Sequence, residues 1–241
     1  MKGYDIKDLK KDYVINGKLH RVLNGIDINF ESDRITVILG KSGCGKTTLL
    51  RLLGGLEETT EGSILFYEDK KRVKPKIGMV FQESRLFPWL TVRQNLTFYS
   101  QNQKKDVEDE YLKIMKLENF ADAYPSQISG GMAQRVSIGR ALAYDPHIML
   151  MDEPFASLDY FTRYNLQQEI IRLYEKTKKG IIFVTHNVDE AILLGHRIVI
   201  LDKGKITKGY IIDDIYPRTL SSEKLIRIKE DILKTICMGK N

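Results

Sequence analysis

The sequence is poor in cysteine and has no long hydrophobic run. Cys44 and Cys237 are the two cysteines among 241 residues, and their spacing matches neither a disulfide framework nor a metal site. The longest apolar runs, such as ITVIL, IIFV and AILLG, are far shorter than the roughly 20 residues that cross a bilayer. The stretch KGYDIKDLKKDY after Met1 is charged, unlike an export signal. We therefore expect a soluble protein of the reducing cytoplasm.

The composition argues against disorder and against nucleic-acid binding. The chain is 42% hydrophobic, which is enough to bury a core. Its net charge is +6, and KKRVKPK at 70–76 is the densest basic run. Aromatic residues do not interleave with this run as base stacking requires, so a solvated hairpin loop explains it better, with anionic lipid headgroups as the alternative contact. We expect no nucleic-acid partner.

Short apolar runs predict an α/β protein with a mixed sheet. IDINF, ITVIL, SILFY and IGMVF mix alternating with continuous patterns, which favours both antiparallel and parallel pairing. IMLM at 148–151 and IIFVT at 181–185 are continuous apolar strands, separated by a polar helical stretch from about Tyr160 to Lys178. This order is typical of βαβ units in a parallel sheet.

Helical periodicity predicts two helical segments. The first is an inserted helical region at 83–141, and the second is a last helix in SSEKLIRIKEDILKTIC, which follows a serine cap. The apolar stripes are Val107, Tyr111, Ile114 and Met115 in the first, and Leu225, Ile228, Ile232 and Ile236 in the second. No internal repeat appears, so we expect a single domain over 1–241, with its core formed by 1–82 and 142–241.

A phosphate-binding loop follows the strand ITVIL. GKSGCGKTT fits the pattern G-x-x-x-x-G-K-[ST], in which glycines let the backbone N–H groups surround phosphate oxygens and the next helix points its dipole at them. Lys46 adds a charge at the β and γ phosphates, and the Thr47 hydroxyl is a ligand for Mg²⁺. The expected nucleotide contacts are Gly40, Ser42, Gly43, Cys44, Gly45, Lys46, Thr47 and Thr48.

Two acids follow the buried strand HIMLM. Asp152 and Glu153 would lie at the carboxyl end of a parallel strand, where open α/β sheets bind ligands. Asp152 suits a direct or second-shell partner of Mg²⁺, and Glu153 suits the orientation or deprotonation of a water that attacks the γ phosphate. An acidic strand-end cap is the alternative for an isolated pair. The phosphate loop in the same chain favours the chemical role.

Two further polar residues follow predicted strands. His186 ends IIFVTH and would reach the γ phosphate from the same sheet edge. Gln82 ends the strand IGMVF, and its neutral side chain suits binding of Mg²⁺ or of the attacking water. The predicted catalytic residues are Glu153, His186 and Gln82, and the predicted Mg²⁺ ligands are Thr47, Gln82 and Asp152.

The stretch QISGGMAQRVSIGRAL at 127–142 predicts a helix that begins with two glycines behind a serine cap, Ser129. A helix N-terminus of this kind offers N–H groups and a positive dipole end to an anion. A loop-to-helix junction with a close packing contact explains the same residues.

Taken in order, these motifs resemble those of the ATP-binding subunits of ABC transporters over essentially the whole chain. Residues 40–47 are similar to the Walker A loop, Gln82 to the Q-loop glutamine, ISGGM to the LSGGQ signature, IMLMDE to the Walker B strand, SLD at 157–159 to the D-loop and His186 to the switch histidine. The resemblance implies a RecA-like P-loop NTPase core with a mixed sheet, an antiparallel β subdomain and an inserted α-helical signature subdomain at 83–141. It also implies ATP and Mg²⁺ as cofactors.

The resemblance indicates which anion the N-terminus of the signature helix would bind. In this family two subunits pair head to tail, and each signature segment closes over the ATP held by its partner, so Ser129, Gly130 and Gly131 would contact the other subunit's γ phosphate. Met132 stands where glutamine is usual and cannot donate a hydrogen bond, which predicts retained function with altered nucleotide affinity. Tyr13 occupies the place where the family stacks an aromatic ring on adenine, and Tyr4 is the alternative.

Two segments, FQESRLFPWLTVRQNL and DEPFASLDYFTR, resemble importers of nitrate, taurine and alkanesulfonates. This implies an ATPase on the inner face of the cell membrane that energises import of a small solute. Its expected partners are integral-membrane permease subunits, a second, identical ATPase subunit and, indirectly, an extracytoplasmic solute-binding protein. The alternatives are an exporter or lipoprotein-extraction ATPase and a soluble ABC ATPase that serves a cofactor-assembly or nucleic-acid complex.

The segment at 87–89 carries the chain's only tryptophan. We expect Phe87, Pro88 and Trp89 to form an exposed apolar patch that receives a helix of the permease. The alternative places Trp89 in the core of the helical region.

Overall fold

The computed structural model describes residues 2–99, 105–156 and 158–238. Ser157 of the predicted D-loop lies outside the described residues, as does the side chain of Val107. Residues 1–75 with 180–241 form one compact unit and residues 76–179 form a second. In chain order the elements are β1 (Gly3–Ile15), β2 (Lys18–Glu31), β3 (Ile35–Leu39), α1 (Lys46–Leu53), β4 (Glu61–Glu68), β5 (Lys71–Arg72), β6 (Ile77–Val80), α2 (Val92–Leu96), α3 (Lys105–Met115), α4 (Gly130–Ala143), β7 (Ile148–Asp152), α5 (Tyr160–Thr177), β8 (Gly180–Thr185), α6 (Val188–Leu194), β9 (Arg197–Asp202), β10 (Lys205–Ile211) and α7 (Glu223–Met238).

The first unit contains an antiparallel sheet in the order β2-β1-β4-β5 and a mixed set of strands in the order β10-β9-β3-β8. The β1–β2 hairpin turns at Asn16 and Gly17, both with positive φ, as the sequence Asn-Gly favours. Strand β3 runs parallel to both β8 and β9, and all five of its residues are buried. A continuous apolar run is what a parallel strand covered on both faces requires. The predicted mixed sheet is confirmed.

Two further predictions hold in this unit. The basic run at 70–76 lies at an exposed hairpin, in which β5 pairs with the end of β4. Helix α7 buries Leu225 and Ile232 and packs on α6, where Lys229 Nζ lies 2.6 Å from an Asp189 carboxylate oxygen. Within the described part of the chain, none of the helices is both long and apolar enough to span a membrane.

The second unit combines the parallel strands β6 and β7 with helices α2 to α5, and α4 contacts α2, α3, α5 and β6. Gly139 permits this packing, since a Cβ there would lie 2.4 Å from Leu96 Cδ2 and 2.9 Å from Met115 Cγ. Buried Glu169 on α5 pairs with Arg135 of α4 at 3.0 Å and with Lys116 at 3.2 Å. Three segments of the unit are thereby tied together.

The region predicted to be helical is confirmed as such, because the described residues between 83 and 141 contain helices and no strand. Helix α4 continues to Ala143, and the compact unit spans 76–179, which is wider than the predicted insertion. The subdomain boundaries at 83 and 141 therefore stay a prediction.

Candidate functional site

The loop between β3 and α1 is shaped by its glycines. Gly43 and Gly45 have φ of 78° and 105°, a region that favours glycine. A Cβ on Gly45 would lie 2.7 Å from Leu23 Cδ2, and one on Gly40 would lie 2.3 Å from the Leu201 carbonyl oxygen. The backbone conformation therefore favours glycine at 43 and 45, and the close approach of neighbouring residues favours it at 40 and 45.

Lys46 is the first residue of α1 and is only 5% exposed. Its Nζ donates to the carbonyl oxygens of Gly40 at 2.9 Å and Lys41 at 3.0 Å, so the ammonium is held across the loop. The first turn of α1 reads KTTL, and its N-cap is Gly45, which has no side chain to occupy the helix N-terminus. An ammonium beside the positive end of a helix dipole fits the oxygens of a phosphate chain. Burial raises the pKa of the neighbouring Cys44 thiol, which therefore stays neutral.

The two tyrosines considered for adenine differ sharply in burial. Tyr4 is 2% exposed, donates to the Leu53 carbonyl oxygen at 2.8 Å and packs edge-on against Phe66, so it is a core residue and the alternative is wrong. Tyr13 is half-buried on β1, and its hydroxyl donates to Glu57. Of the two rings, only that of Tyr13 remains available for a base.

His186 lies at the same sheet edge as the phosphate loop. Leu39 and Thr185 are paired in the parallel strands β3 and β8, so Gly40 and His186 each follow the same rung of the ladder. His186 is exposed, and the turn that carries it is fixed on both sides. Thr185 Oγ1 donates to Glu190 at 2.6 Å, and the Asn187 side chain caps α6.

In the second unit, the two acids lie at the carboxyl end of β7 as predicted. Asp152 is its last residue and is 8% exposed. Glu153 follows with a φ of 42°, a left-handed conformation that costs a residue other than glycine about 1–3 kcal/mol. This change of backbone ends β7 between the two carboxylates. Strain of this kind is typical of functional positions.

Gln82 reaches the same edge as these acids, but the prediction that it ends a strand is wrong. Strand β6 stops at Val80, which is paired with Met151, and Gln82 lies exposed in the loop beyond Phe81. Arg140 of α4 holds this loop, donating to the carbonyl oxygens of Ser84 at 3.3 Å and Arg85 at 3.0 Å.

The signature helix α4 begins as predicted, with Ser129 as its N-cap and the Ser129 Oγ accepting from Met132 N–H at 3.3 Å. Close packing explains why residue 131 is glycine, because a Cβ there would lie 2.4 Å from Thr162 Cγ2 on α5. Packing does not explain the glycine at 130, since a Cβ there would meet open space among the described atoms. The backbone of Met132 thus contributes to the cap although its side chain cannot donate.

Neighbouring α5 provides a contrast in charge. Its N-terminus is capped by the Asp159 carboxylate, which accepts from the N–H groups of Phe161 and Thr162. The α4 N-terminus carries only a neutral hydroxyl, and its first turn reads GGMA. An external anion is therefore compatible with the N-terminus of α4, whereas α5 already holds its own.

An aromatic surface extends from the segment at 87–89. We define it by Trp89, Phe87, Phe98, Tyr99 and Tyr144, whose successive ring centroids are 5.6, 4.4, 5.2 and 5.5 Å apart. Trp89 is 69% exposed, so the alternative that it fills a core is wrong. Phe98, Tyr99 and Tyr144 were not predicted, and the only signal in the sequence is the dipeptide Phe-Tyr at 98–99.

Two polar residues hold this surface in place. Asn95 is fully buried and accepts from Phe87 N–H at 2.8 Å while donating to the carbonyl oxygens of Phe87, Leu90 and Thr91. The Arg140 guanidinium lies 5.3 Å from the Phe87 ring centroid. The aromatic surface is thus built on α2 and on the signature helix α4.

Comparison with known sequences identifies a family. The sequence profile of the family described as ABC transporter matches residues 23–156. An uncharacterized ABC transporter ATP-binding protein of Methanocaldococcus jannaschii, MJ0412, is 42% identical over 242 residues, which cover 96% of this chain and 90% of the relative. An aliphatic sulfonates import ATP-binding protein of Bacillus cereus, SsuB, is 43% identical over 226 residues, which cover 91% of this chain and 90% of the relative.

Solved structures agree. The ATP-binding cassette MJ0796, in a dimeric post-hydrolysis state bound to ADP and Pi, has a TM-score of 0.76 and 32% identity, covering 88% of this chain and all of that one. The cbiO1 protein of Clostridium perfringens, part of the ABC transporter complex cbiONQ, has a TM-score of 0.78 and 25% identity, covering 99% of this chain and 97% of that one. The predicted P-loop NTPase fold is confirmed. The chain belongs to the ABC transporter family, as one of its ATP-binding, ATP-hydrolysing members.

Proposed function

We propose that this ATPase energises a membrane importer of a small solute, with an aliphatic sulfonate as the first candidate and taurine or nitrate as related ones. The observation that carries the proposal is the 43% identity, over 91% of the chain, to an aliphatic sulfonates import protein. The exposed aromatic surface gives independent support, because an exposed apolar patch of this kind is typical of a protein–protein interaction site.

The chemistry is assigned to the residues at the two strand edges. Lys46 and the backbone of 40–48 would bind the phosphate chain of ATP, Glu153 would accept a proton from the attacking water, and His186 would hydrogen-bond to the γ phosphate. Thr47, Gln82 and Asp152 offer a hydroxyl, an amide oxygen and a carboxylate, which are oxygen ligands that Mg²⁺ prefers. When bound, Mg²⁺ neutralises charge on the phosphates.

We further propose a head-to-tail dimer in which Ser129, Gly130 and Gly131 contact ATP held by an identical second subunit. The uncharged, open N-terminus of α4 supports this role, as does the dimeric state of MJ0796. A single chain then binds ATP but completes its site only in the dimer.

Ser129→Ala is expected to leave ATP binding to the single chain intact and to abolish ATP-dependent dimerisation in a Glu153→Gln background. The lost cap also costs about 1 kcal/mol of stability. Light scattering after gel filtration with ATP gives the mass. Thr91→Ala is the matched control, because it removes the N-cap of α2 in the same unit. Retained dimerisation of the Ser129→Ala protein would contradict the proposed contact.

Trp89→Ala is expected to leave folding and basal ATPase activity unchanged and to release the chain from membranes. Truncation of a side chain that is 69% exposed changes stability by no more than about 0.5 kcal/mol, whereas a tryptophan at the centre of an interface contributes about 2 kcal/mol or more to binding. Co-sedimentation with washed native membranes measures the loss. Tyr124→Ala is the control, because Tyr124 is 46% exposed and lies outside the aromatic surface. Normal sedimentation and uptake with Trp89→Ala would exclude docking through this residue.

Solute uptake tests the overall proposal. Cells that lack this chain should lose uptake of a labelled aliphatic sulfonate, and wild-type but not Glu153→Gln protein should restore it. A pull-down of tagged Glu153→Gln protein with ATP and Mg²⁺ should recover permease subunits, which hold the chain at the inner membrane face, and indirectly a solute-binding protein. Recovery of only soluble scaffold proteins or nucleic acid would favour the alternative functions and overturn import.

A further inference from the structure

Glu57 connects strand β1 to helix α1. Its carboxylate accepts the hydrogen bond from the Tyr13 hydroxyl and lies 3.6 Å from Lys11 Nζ and 3.4 Å from Arg51 Nη1. Lys11 and Tyr13 belong to β1, while Arg51 lies in the last turn of α1. One side chain therefore fixes the strand that carries the tyrosine against the helix that begins in the phosphate loop.

The Tyr13 ring is restrained from two directions. Its hydroxyl is held by the Glu57 carboxylate, and the Lys11 ammonium lies 4.9 Å from the ring centroid. An ammonium at this distance is attracted by the ring's π electrons, so Lys11 covers one face. A base can stack only on the opposite face.

The protonation states of Tyr13 and Glu57 favour a stable hydrogen bond between them. Burial, with the bond to Glu57, raises the pKa of Tyr13, which remains a phenol donor. Burial opposes ionisation of Glu57, but the hydrogen bond from Tyr13 and the charges of Lys11 and Arg51 lower its pKa on balance. Glu57 therefore remains a carboxylate acceptor at neutral pH.

We propose that Glu57 is a positioning residue for the nucleotide: it holds the Tyr13 ring at a set distance from the phosphate loop, and so favours a triphosphate that carries a base. This inference rests on ATP as the nucleotide and on the stacking of Tyr13 on adenine that the family resemblance predicts. Glu57 lies four residues beyond the end of α1 and is tied to the helix through Arg51, and α1 begins in the phosphate loop at Lys46. A ring that is already immobilised loses less conformational entropy on stacking.

Two probes separate positioning of the ring from general damage to the site. ATP contacts both the ring and the loop, whereas inorganic tripolyphosphate lacks a base and would contact the loop alone. Glu57→Ala should weaken ATP binding roughly three- to tenfold, the gain expected from one pre-organised side chain, and leave tripolyphosphate binding unchanged. Calorimetry on the purified full chain with Mg²⁺ measures both. In steady-state assays the KM for ATP should rise while kcat stays constant.

The chain offers a matched control in Glu58, the exposed neighbour of Glu57. Glu58→Ala should bind both probes as the wild type does. Glu57→Gln keeps an acceptor for the Tyr13 hydroxyl and should restore part of the affinity. In the Tyr13→Phe background, which lacks that hydroxyl, Glu57→Ala should weaken ATP binding much less than it does alone.

Tyr13→Ala distinguishes failure of this inference from failure of its premise. If Tyr13→Ala leaves ATP affinity unchanged, then stacking on Tyr13 is wrong and the inference falls with it. If Tyr13→Ala weakens ATP binding but Glu57→Ala does not, or if Glu57→Ala weakens tripolyphosphate equally, then stacking stands and the positioning role of Glu57 is overturned.

Discussion

Glu153→Gln is expected to slow ATP hydrolysis by about 10²–10⁴-fold while ATP binding is retained, because a positioned general base contributes about that factor and an amide cannot accept the proton. Glutamine keeps the size of the side chain, so folding should be unchanged. With hydrolysis blocked, the two proposed subunits should stay joined by ATP. Release of inorganic phosphate measures the rate, and gel filtration with ATP measures the dimer.

Glu175→Gln provides the control for this experiment, since Glu175 is exposed on α5 in the same unit. It should hydrolyse ATP at the wild-type rate and dimerise only transiently. Normal hydrolysis by Glu153→Gln would show that Glu153 is not the general base. His186 and Gln82 would then be the remaining candidates for activation of the attacking water.

Lys46→Ala is expected to abolish ATP binding at millimolar concentrations rather than to slow the chemical step alone. The buried ammonium is already held at the loop by two carbonyl oxygens, and charged hydrogen bonds to phosphate contribute about 1.5–3 kcal/mol each. The variant should therefore lose the thermal stabilisation by ATP, which is about 2.7 kcal/mol at 100 times Kd. Melting curves with and without ATP provide the measurement.

Lys18→Ala removes an exposed lysine from the hairpin of the same unit and should keep the full shift in melting temperature. Because Lys46→Ala leaves one buried and one partly buried carbonyl oxygen without this donor, circular dichroism must first show a folded chain. A folded Lys46→Ala protein that is still stabilised by ATP would place the phosphates elsewhere.

The parallel strands were predictable because burial on both faces requires continuous apolar runs, and ITVIL, IMLM and IIFVT are such runs. Strand β1 was not predicted. Its sequence GYDIKDLKKDYVI is rich in charge, and its pairing shifts register near Asp8, which has a φ of 44°. Exposed antiparallel strands with bulges lack the periodicity on which sequence reasoning depends.

The same limit applies to the site. The phosphate loop, the acids after β7 and the cap of α4 are local patterns, so their residues could be named from the sequence. Trp89 and Phe87 of the aromatic surface were also named from the sequence, but Phe98, Tyr99, Tyr144 and Glu57 were not, because their roles depend on contacts between separate segments. The bond between Tyr13 and Glu57, for example, joins residues 44 positions apart.

The left-handed backbone of Glu153 has an evolutionary consequence. Glycine would relieve the strain at this position, whereas glutamate adopts the same backbone conformation at a cost to stability. Selection for thermal resistance alone would therefore favour replacement of glutamate here and remove the general base that we propose for ATP hydrolysis. Any laboratory evolution of this chain towards higher melting temperature must accordingly screen for turnover at every round.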